Sequence, residues 1–164
     1  MKRTFEYKLF ADYYQFYLQG ESADGNLGNS WTPEAVDRLL AVAPGTIGVG
    51  TVRNVTVPVA VEITDEEPDD DLSKWDQVAE CSLEIPSGRI VVAGCTDYFP
   101  DAARIEVIPG IYRARVYCGN LNSLSDDGLE GDDHYKLVLW SAAPRPLQVL
   151  KQRANPAGQP SSTS

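Results

Sequence analysis

The sequence contains only one histidine and three cysteines, so few of its side chains can support nucleophilic or metal chemistry. It lacks the short motifs of a serine-hydrolase nucleophile, a phosphate-binding loop, a paired-cysteine site and a zinc-protease helix. The histidine, His134, directly follows Asp132 and Asp133, but three consecutive residues entering a strand do not aim their side chains at one centre. The sequence therefore predicts a surface histidine, no catalytic residue, no metal site and no cofactor.

The cysteines do not form a disulfide pattern. They are odd in number, and Cys81 and Cys118 fall on the predicted inner faces of strands, which favours reduced, buried thiols. Cys95 lies at a predicted strand end and is expected to be the more accessible one.

Long apolar runs are also missing. No segment approaches the ~20 apolar residues that a membrane-spanning helix requires. At the N-terminus, Lys8 and Asp12 come before any apolar run of signal-peptide length, so we expect a cytoplasmic protein without a membrane partner.

Short segments with a period of two are abundant, and they indicate β-strands. The clearest run is 78–118, where apolar and polar residues alternate in 78–85, 104–107 and 112–118. Pro86-Ser87-Gly88 and Pro109-Gly110 carry turn residues, so we predict two antiparallel hairpins here. Similar patterns predict strands at 5–9, 13–18, 47–53, 55–63, 134–140 and 147–151, with Pro58 placing its strand at an edge or a bulge.

One segment has helical spacing instead. Thr32-Pro33-Glu34 is typical of a helix start, Val36, Leu39 and Leu40 repeat at helical spacing, and Pro44-Gly45 ends the run. We predict a mainly β fold, an antiparallel β-sandwich of about eight or nine strands with one short helix at residues 32–43. Residues 1–153 form its single domain, and residues 154–164, rich in Pro, Gly and Ser, are predicted to be a disordered tail.

The negative charge is concentrated in two clusters. The chain has a net charge of −10 with 24 acidic residues, and eleven of these lie in 65–71 and 126–133. Without those eleven, thirteen acids remain against fourteen Lys and Arg, so the rest of the chain is nearly neutral. Such clusters repel phosphate backbones, which argues against direct nucleic-acid binding and favours a basic protein partner. The predicted partner-binding residues are Asp65, Glu66, Glu67, Asp69, Asp70, Asp71, Asp126, Asp127, Glu130, Asp132 and Asp133.

Several short segments of the sequence share one pattern: Tyr13-Tyr14-Gln15-Phe16, Trp31-Thr32, Glu34-Ala35-Val36, Ala41, Ala43, Gly45, Ile47 and Arg53-Asn54, with Ile85-Pro86-Ser87-Gly88 and Pro109-Gly110-Ile111-Tyr112 further on. With these residues the chain resembles the competence protein J family, inhibitors of a bacterial DNA-entry nuclease. The resemblance covers roughly residues 5–117. It implies a non-enzymatic protein that binds and restrains a DNA nuclease, and it implies no particular inhibitory residue.

Two hypotheses follow from these observations. In the first, the chain inhibits a basic nuclease, and its two acidic clusters imitate phosphate charge. In the second, it is a calcium- or small-ligand-binding module whose aromatic residues line a groove between the sheets: Tyr13, Tyr17, Trp31, Trp75 and Trp140. The loop from Asp126 does not match a calcium loop, because Gly128 and Leu137 occupy ligand positions.

Overall fold

The structure, a computed structural model, describes residues 2–23, 27–69, 72–94, 96–127 and 130–153. Cys95, Asp70, Asp71 and the predicted tail 154–164 lie outside the described residues. Within the described ranges there are eleven strands: β1 (Arg3–Phe10), β2 (Gln15–Gly20), β3 (Leu40–Ala43), β4 (Thr46–Gly50), β5 (Thr56–Ile63), β6 (Gln77–Ile85), β7 (Arg89–Gly94), β8 (Ala103–Glu106), β9 (Gly110–Gly119), β10 (His134–Ser141) and β11 (Gln148–Lys151).

The strands form two sheets that share one apolar core. The six-stranded sheet has the order β1-β5-β10-β9-β6-β11, and the five-stranded sheet has the order β3-β4-β2-β7-β8. Alternate residues of both sheets meet in the core, where Phe16 and Ile47 of one sheet and Leu83 and Leu137 of the other are almost fully buried. The predicted mainly β fold is confirmed, with more strands than expected. One neighbouring pair, β5 and β10, is parallel rather than antiparallel.

The helix is shorter than predicted. It spans α1 (Pro33–Arg38), and the Thr32 side chain caps it by accepting a hydrogen bond from the Ala35 N–H at 3.1 Å. Leu39 adopts a left-handed conformation (φ 58°), which ends the helix, and the next four residues pair with β4 as β3. The predicted end at residue 43 is wrong because pairing with β4 prevails over helical spacing. Within the described chain, no helix is long and apolar enough to cross a membrane.

Both predicted hairpins are wrong. The connection Pro86-Ser87-Gly88 joins β6 of the six-stranded sheet to β7 of the five-stranded sheet. Residues 107–109 join β8 of the five-stranded sheet to β9 of the six-stranded sheet. The antiparallel partners are instead β6 with β9 and β7 with β8. A short turn permits either arrangement, because two strands with one apolar face each can share a sheet or face each other across the core.

Pro58 is not at a sheet edge. Its strand, β5, lies between β1 and β10. The pairing of β5 with β10 begins at Val59, one residue after Pro58. Pro58 therefore does not have to donate a hydrogen bond to β10, which it could not do because it lacks an N–H. The predicted edge position is therefore wrong.

The strand registers place several of the connections between strands at the same end of the sandwich. We call this end the loop end. Phe10 pairs with Thr56 and His134 with Gly119, so these strand termini lie together. The loop end comprises the described parts of residues 10–14, 31–39, 51–55, 72–76, 96–102, 119–133 and 152–153. The opposite end, which we call the far end, carries 64–66, 86–88, 107–109 and 142–147.

Gly94 allows the two sheets to approach at the loop end. A Cβ atom on Gly94 would lie 2.5 Å from the backbone carbonyl oxygen of Phe10. We expect Gly94→Ala to lower the free energy of unfolding by about 1–3 kcal/mol, because backbone must move to relieve the clash. Gly20→Ala is the control, since its Cβ would meet nothing closer than 3.5 Å. Urea denaturation of both variants tests this, and equal losses would contradict it.

Candidate partner-binding surface

A buried carboxylate fixes the base of the loop end. Asp133 has no exposed surface, and one of its oxygens pairs with the Arg53 guanidinium. Its other oxygen accepts a hydrogen bond from the Tyr135 hydroxyl at 2.7 Å, and that hydroxyl in turn accepts the Val52 N–H at 3.0 Å. Burial, together with the bond to Asp133, raises the pKa of Tyr135, so the phenol stays protonated. These contacts join residues 51–55 to the start of β10.

The acidic residues of the second cluster, 126–133, therefore differ in their exposure to solvent. Asp126, Asp127, Glu130 and Asp132 are exposed at the loop end. The prediction that Asp133 faces a partner is wrong, because its charge is neutralised inside the protein by Arg53, eighty residues earlier in the chain. Backbone bonds hold the described parts of the loop: the Ser125 N–H donates to the Glu130 carbonyl at 2.7 Å.

Substitution of Asp133 should lower the free energy of unfolding much more than substitution of the adjacent Asp132. Asp133→Ala leaves the Arg53 guanidinium buried without its counter-charge, so we expect a loss of about 3–5 kcal/mol in unfolding free energy. Asp132→Ala removes an exposed carboxylate and should change stability by less than about 0.5 kcal/mol. Chemical denaturation of both variants measures the difference. A small loss in Asp133→Ala would contradict the structural role.

The first acidic cluster starts at the far end and runs over the six-stranded sheet. Asp65, Glu66, Glu67 and Asp69 are exposed, whereas Asp70 and Asp71 lie outside the described residues. The Glu67 carboxylate is 3.1 Å from the Arg115 guanidinium and 3.9 Å from that of Arg145. Part of this charge is thus used within the molecule.

Beneath that segment lies a buried ionic network on the outer face of the six-stranded sheet. The two Glu80 oxygens accept hydrogen bonds from Arg113 at 2.6 Å and from Arg115 at 2.7 Å, and all three residues are about 2 % exposed or less. The Arg115 guanidinium also lies 5.2 Å from the centre of the Trp140 ring. Burial by itself raises the pKa of Glu80, but the two arginines more than offset it and the net pKa is lowered. Glu80 is therefore ionised at neutral pH.

Removing the Glu80 charge should destabilise the fold. Glu80→Gln removes the carboxylate shared by the buried Arg113 and Arg115 guanidinium groups and leaves only Glu67 beside Arg115, so we expect a loss of about 3–5 kcal/mol. Because the folded pKa is lowered, the wild-type contribution is complete above the ordinary Glu value of 4.5 and is lost as the pH falls through the folded value.

Glu84→Gln is the control, because Glu84 lies on the same strand and face but is exposed. Denaturation from pH 7 to pH 2 measures both effects. The acid-side loss of stability should be shallower in Glu80→Gln than in Glu84→Gln, and identical profiles would contradict the argument.

The structure brings further acids to the loop end that the sequence did not reveal. Exposed carboxylates join Asp126, Asp127, Glu130 and Asp132 from two separate segments, 31–39 and 96–102: Glu34, Asp37, Asp97 and Asp101. In the described parts of the loop end, Lys74 is the only exposed basic residue. These four acids are isolated in sequence, so no local charge count could identify them.

Exposed apolar side chains are concentrated at the same end. Of the eight large apolar residues exposed in the described chain, six lie there: Phe10, Tyr13, Tyr14, Val36, Tyr98 and Phe99. A cavity of about 590 Å³ opens between Tyr13, Tyr14, Trp31 and Val36. One wall is fixed by the Trp31 indole N–H, which donates to the Gln15 side-chain oxygen at 2.9 Å.

The five aromatic residues of the ligand-groove hypothesis do not line one groove. Tyr13 and Trp31 border the cavity, whereas Tyr17 packs with Leu27 and its neighbours. Trp75 lies against Tyr117 and His134 on the outer face of the six-stranded sheet, and Trp140 is buried there. The proposed arrangement is wrong because these residues belong to different faces of the sandwich.

Two of the cysteines and the histidine lie among the described residues. Cys81 and Cys118 are buried as predicted, and burial raises the pKa of each thiol to about 12. His134 is the first residue of β10, and its Nδ1 lies 3.1 Å from the Asp132 carbonyl oxygen. Among the described residues, no group of three or more His, Cys, Asp or Glu side chains is arranged to hold a metal ion.

The protein is a mainly β domain of two sheets. Its distinguishing surface is the loop end, which carries exposed acidic and aromatic residues. Two solved structures share this fold. One is ComJ, inhibitor of the DNA degrading activity of NucA, from Bacillus subtilis, with a TM-score of 0.68 at 17 % identity over 87 % of this chain and 99 % of that chain. The other is crocagin biosynthetic gene J, with a TM-score of 0.61 at 21 % identity over the same shares.

At these identities the likeness is one of fold. The resemblance to competence protein J predicted from the sequence is confirmed at that level. No protein-family model matches the sequence, and no curated protein matches it either.

Proposed function

We propose that this chain is a non-catalytic cytoplasmic protein that binds a basic DNA-degrading nuclease through its loop end and inhibits it. The single observation that carries the proposal is the charge of that end. Eight exposed carboxylates from three segments lie there, with Lys74 as the only exposed base in its described parts, on a fold shared with a nuclease inhibitor.

The physical basis is charge complementarity. A nuclease binds the phosphate backbone with Lys and Arg, and a protein surface of dense negative charge competes for the same groups. Long-range attraction raises the rate at which the two proteins meet, and the effect weakens with salt. The exposed acids that serve this role are those of the loop end, whereas Asp65 and Glu66 at the far end point to a different side of the molecule.

A titration tests the inhibitory role. Purified chain is added to NucA and to any DNA nuclease encoded beside the chain's own gene, and degradation of linear DNA is followed at low salt. We expect the degradation by at least one of these nucleases to fall in proportion to added chain and to stop near one chain per nuclease. Full activity of all of them with the chain in large excess would overturn the proposal.

Two variants of equal charge locate the surface. Asp126→Asn/Asp127→Asn/Glu130→Gln/Asp132→Asn removes four loop-end charges, and Asp65→Asn/Glu66→Gln/Glu84→Gln/Glu106→Gln removes four exposed charges near the far end. At low salt, the loop-end variant should associate with the nuclease roughly 10-fold or more slowly and with weaker salt dependence. The far-end variant should stay within about twofold of wild type. Stopped-flow association measures both, and equal effects would contradict a loop-end interface.

A further inference from the structure

The cavity at the loop end is bordered by side chains that ordinarily would be buried. Tyr13 is 70 % exposed, Tyr14 is 54 % exposed and Val36 is 51 % exposed, and all three line the same opening of about 590 Å³. Soluble proteins rarely leave such aromatic surface in contact with water unless another molecule covers it. No described residue forms a hydrogen bond with either phenol hydroxyl.

The two tyrosines are held in this arrangement by the backbone. Tyr13 and Tyr14 have φ values of 58° and 62°, in the left-handed region that bulky residues seldom occupy. The conformation is fixed by main-chain bonds: the Tyr14 N–H donates to the Ala11 carbonyl at 3.0 Å, and the Thr51 N–H donates to the Tyr14 carbonyl at 2.9 Å. The rings are therefore presented on a rigid turn, which lowers the entropy lost on binding.

The charge around the cavity specifies the chemistry of the occupant. Glu34 and Asp37 are exposed on α1, the helix that contributes Val36 to the opening, and the Asp12 carboxylate accepts a hydrogen bond from the Tyr13 N–H at 3.1 Å. Arg153 is the single base among the lining residues, and its guanidinium lies 3.4 Å from the Val36 carbonyl. A mostly apolar opening at an end of the protein that carries eight exposed carboxylates suits a large apolar side chain that is flanked by Lys or Arg.

We propose that the Tyr13–Tyr14 cavity is the anchor of the interface, receiving a large apolar side chain of the nuclease that neighbouring Lys or Arg residues flank. This inference rests on the proposed function. The exposed acids of the 126–132 loop set how fast the proteins meet, whereas the cavity sets how slowly they separate. Buried aromatic anchors of this kind dominate the affinity of protein interfaces.

Dissociation kinetics separate the anchor from the acids. Val36→Lys places a positive charge at the mouth of the cavity on an exposed helix face, and Tyr13→Ala/Tyr14→Ala removes both rings. For each variant we expect dissociation from the nuclease inhibited in the titration to be roughly 30-fold faster or more. The salt dependence of association should be unchanged in Tyr13→Ala/Tyr14→Ala and only slightly weaker in Val36→Lys, which adds one positive charge to the loop end. Ile108→Lys, at an 81 % exposed position of the far end, is the control and should match wild type. Circular dichroism and melting confirm that each variant is folded.

The outcomes are distinguishable. If wild-type chain binds the nuclease and Val36→Lys dissociates at the wild-type rate, the anchor proposal is wrong and the proposed function stands. If wild-type chain binds none of the nucleases tested, the proposed function fails and the anchor fails with it. If sedimentation shows that Val36→Lys splits a dimer of this chain while nuclease binding is unchanged, the cavity holds a second copy and the proposal is overturned.

Discussion

The pairing of Asp133 with Arg53 is the constraint on which the loop end depends. It joins the β4–β5 connection to the residue that precedes β10, and Tyr135 extends the contact to the Val52 backbone. A charge with no exposed surface is tolerated only when it is neutralised and hydrogen-bonded, so these groups hold one another in place. The cavity and the acidic loop both adjoin this network, because Val52 lines the cavity and Asp132 precedes Asp133.

On the outer face of the six-stranded sheet, a larger group of buried charges is also neutralised within the protein. Arg113 and Arg115 project away from the apolar core, but the segments 67–68 and 145–146 lie over them, and Glu80 and Glu67 supply the balancing charge. The backbone carbonyls of Arg145 and Pro146 accept further hydrogen bonds from Arg113. An acidic stretch in the sequence is therefore not equivalent to an acidic surface, because part of its charge can serve the fold itself.

The loop end combines two kinds of interaction that act at different stages of binding. Charge acts over distances comparable to the Debye length and guides the encounter, whereas apolar contact acts only after the surfaces meet. Here the two come partly from different segments: four of the eight exposed acids lie in the β9–β10 loop, and Tyr13 and Tyr14 lie in the turn before β2. Such a division allows association and dissociation to be altered separately.

Local chemistry in the sequence determined much of the secondary structure. Alternation located most of the strands, Thr32 and Pro33 located the helix start, and the buried positions of Cys81 and Cys118 followed from the side of the strand on which they fall. These features depend on neighbours a few residues apart, which is why a single sequence reveals them.

Only the tertiary structure decided which strands pair, where the helix ends and which acids remain exposed. The turns at 86–88 and 107–109 carry the same residues whether they close a hairpin or cross the core, so strand pairing depends on the packing of both sheets. Asp133 and Asp132 have the same side chain, and burial beside Arg53 and Tyr135 distinguishes Asp133. The candidate surface gathers Tyr13, Val36, Asp97 and Asp126 from distant parts of the chain, because a binding surface depends on proximity in space, which local sequence patterns do not record.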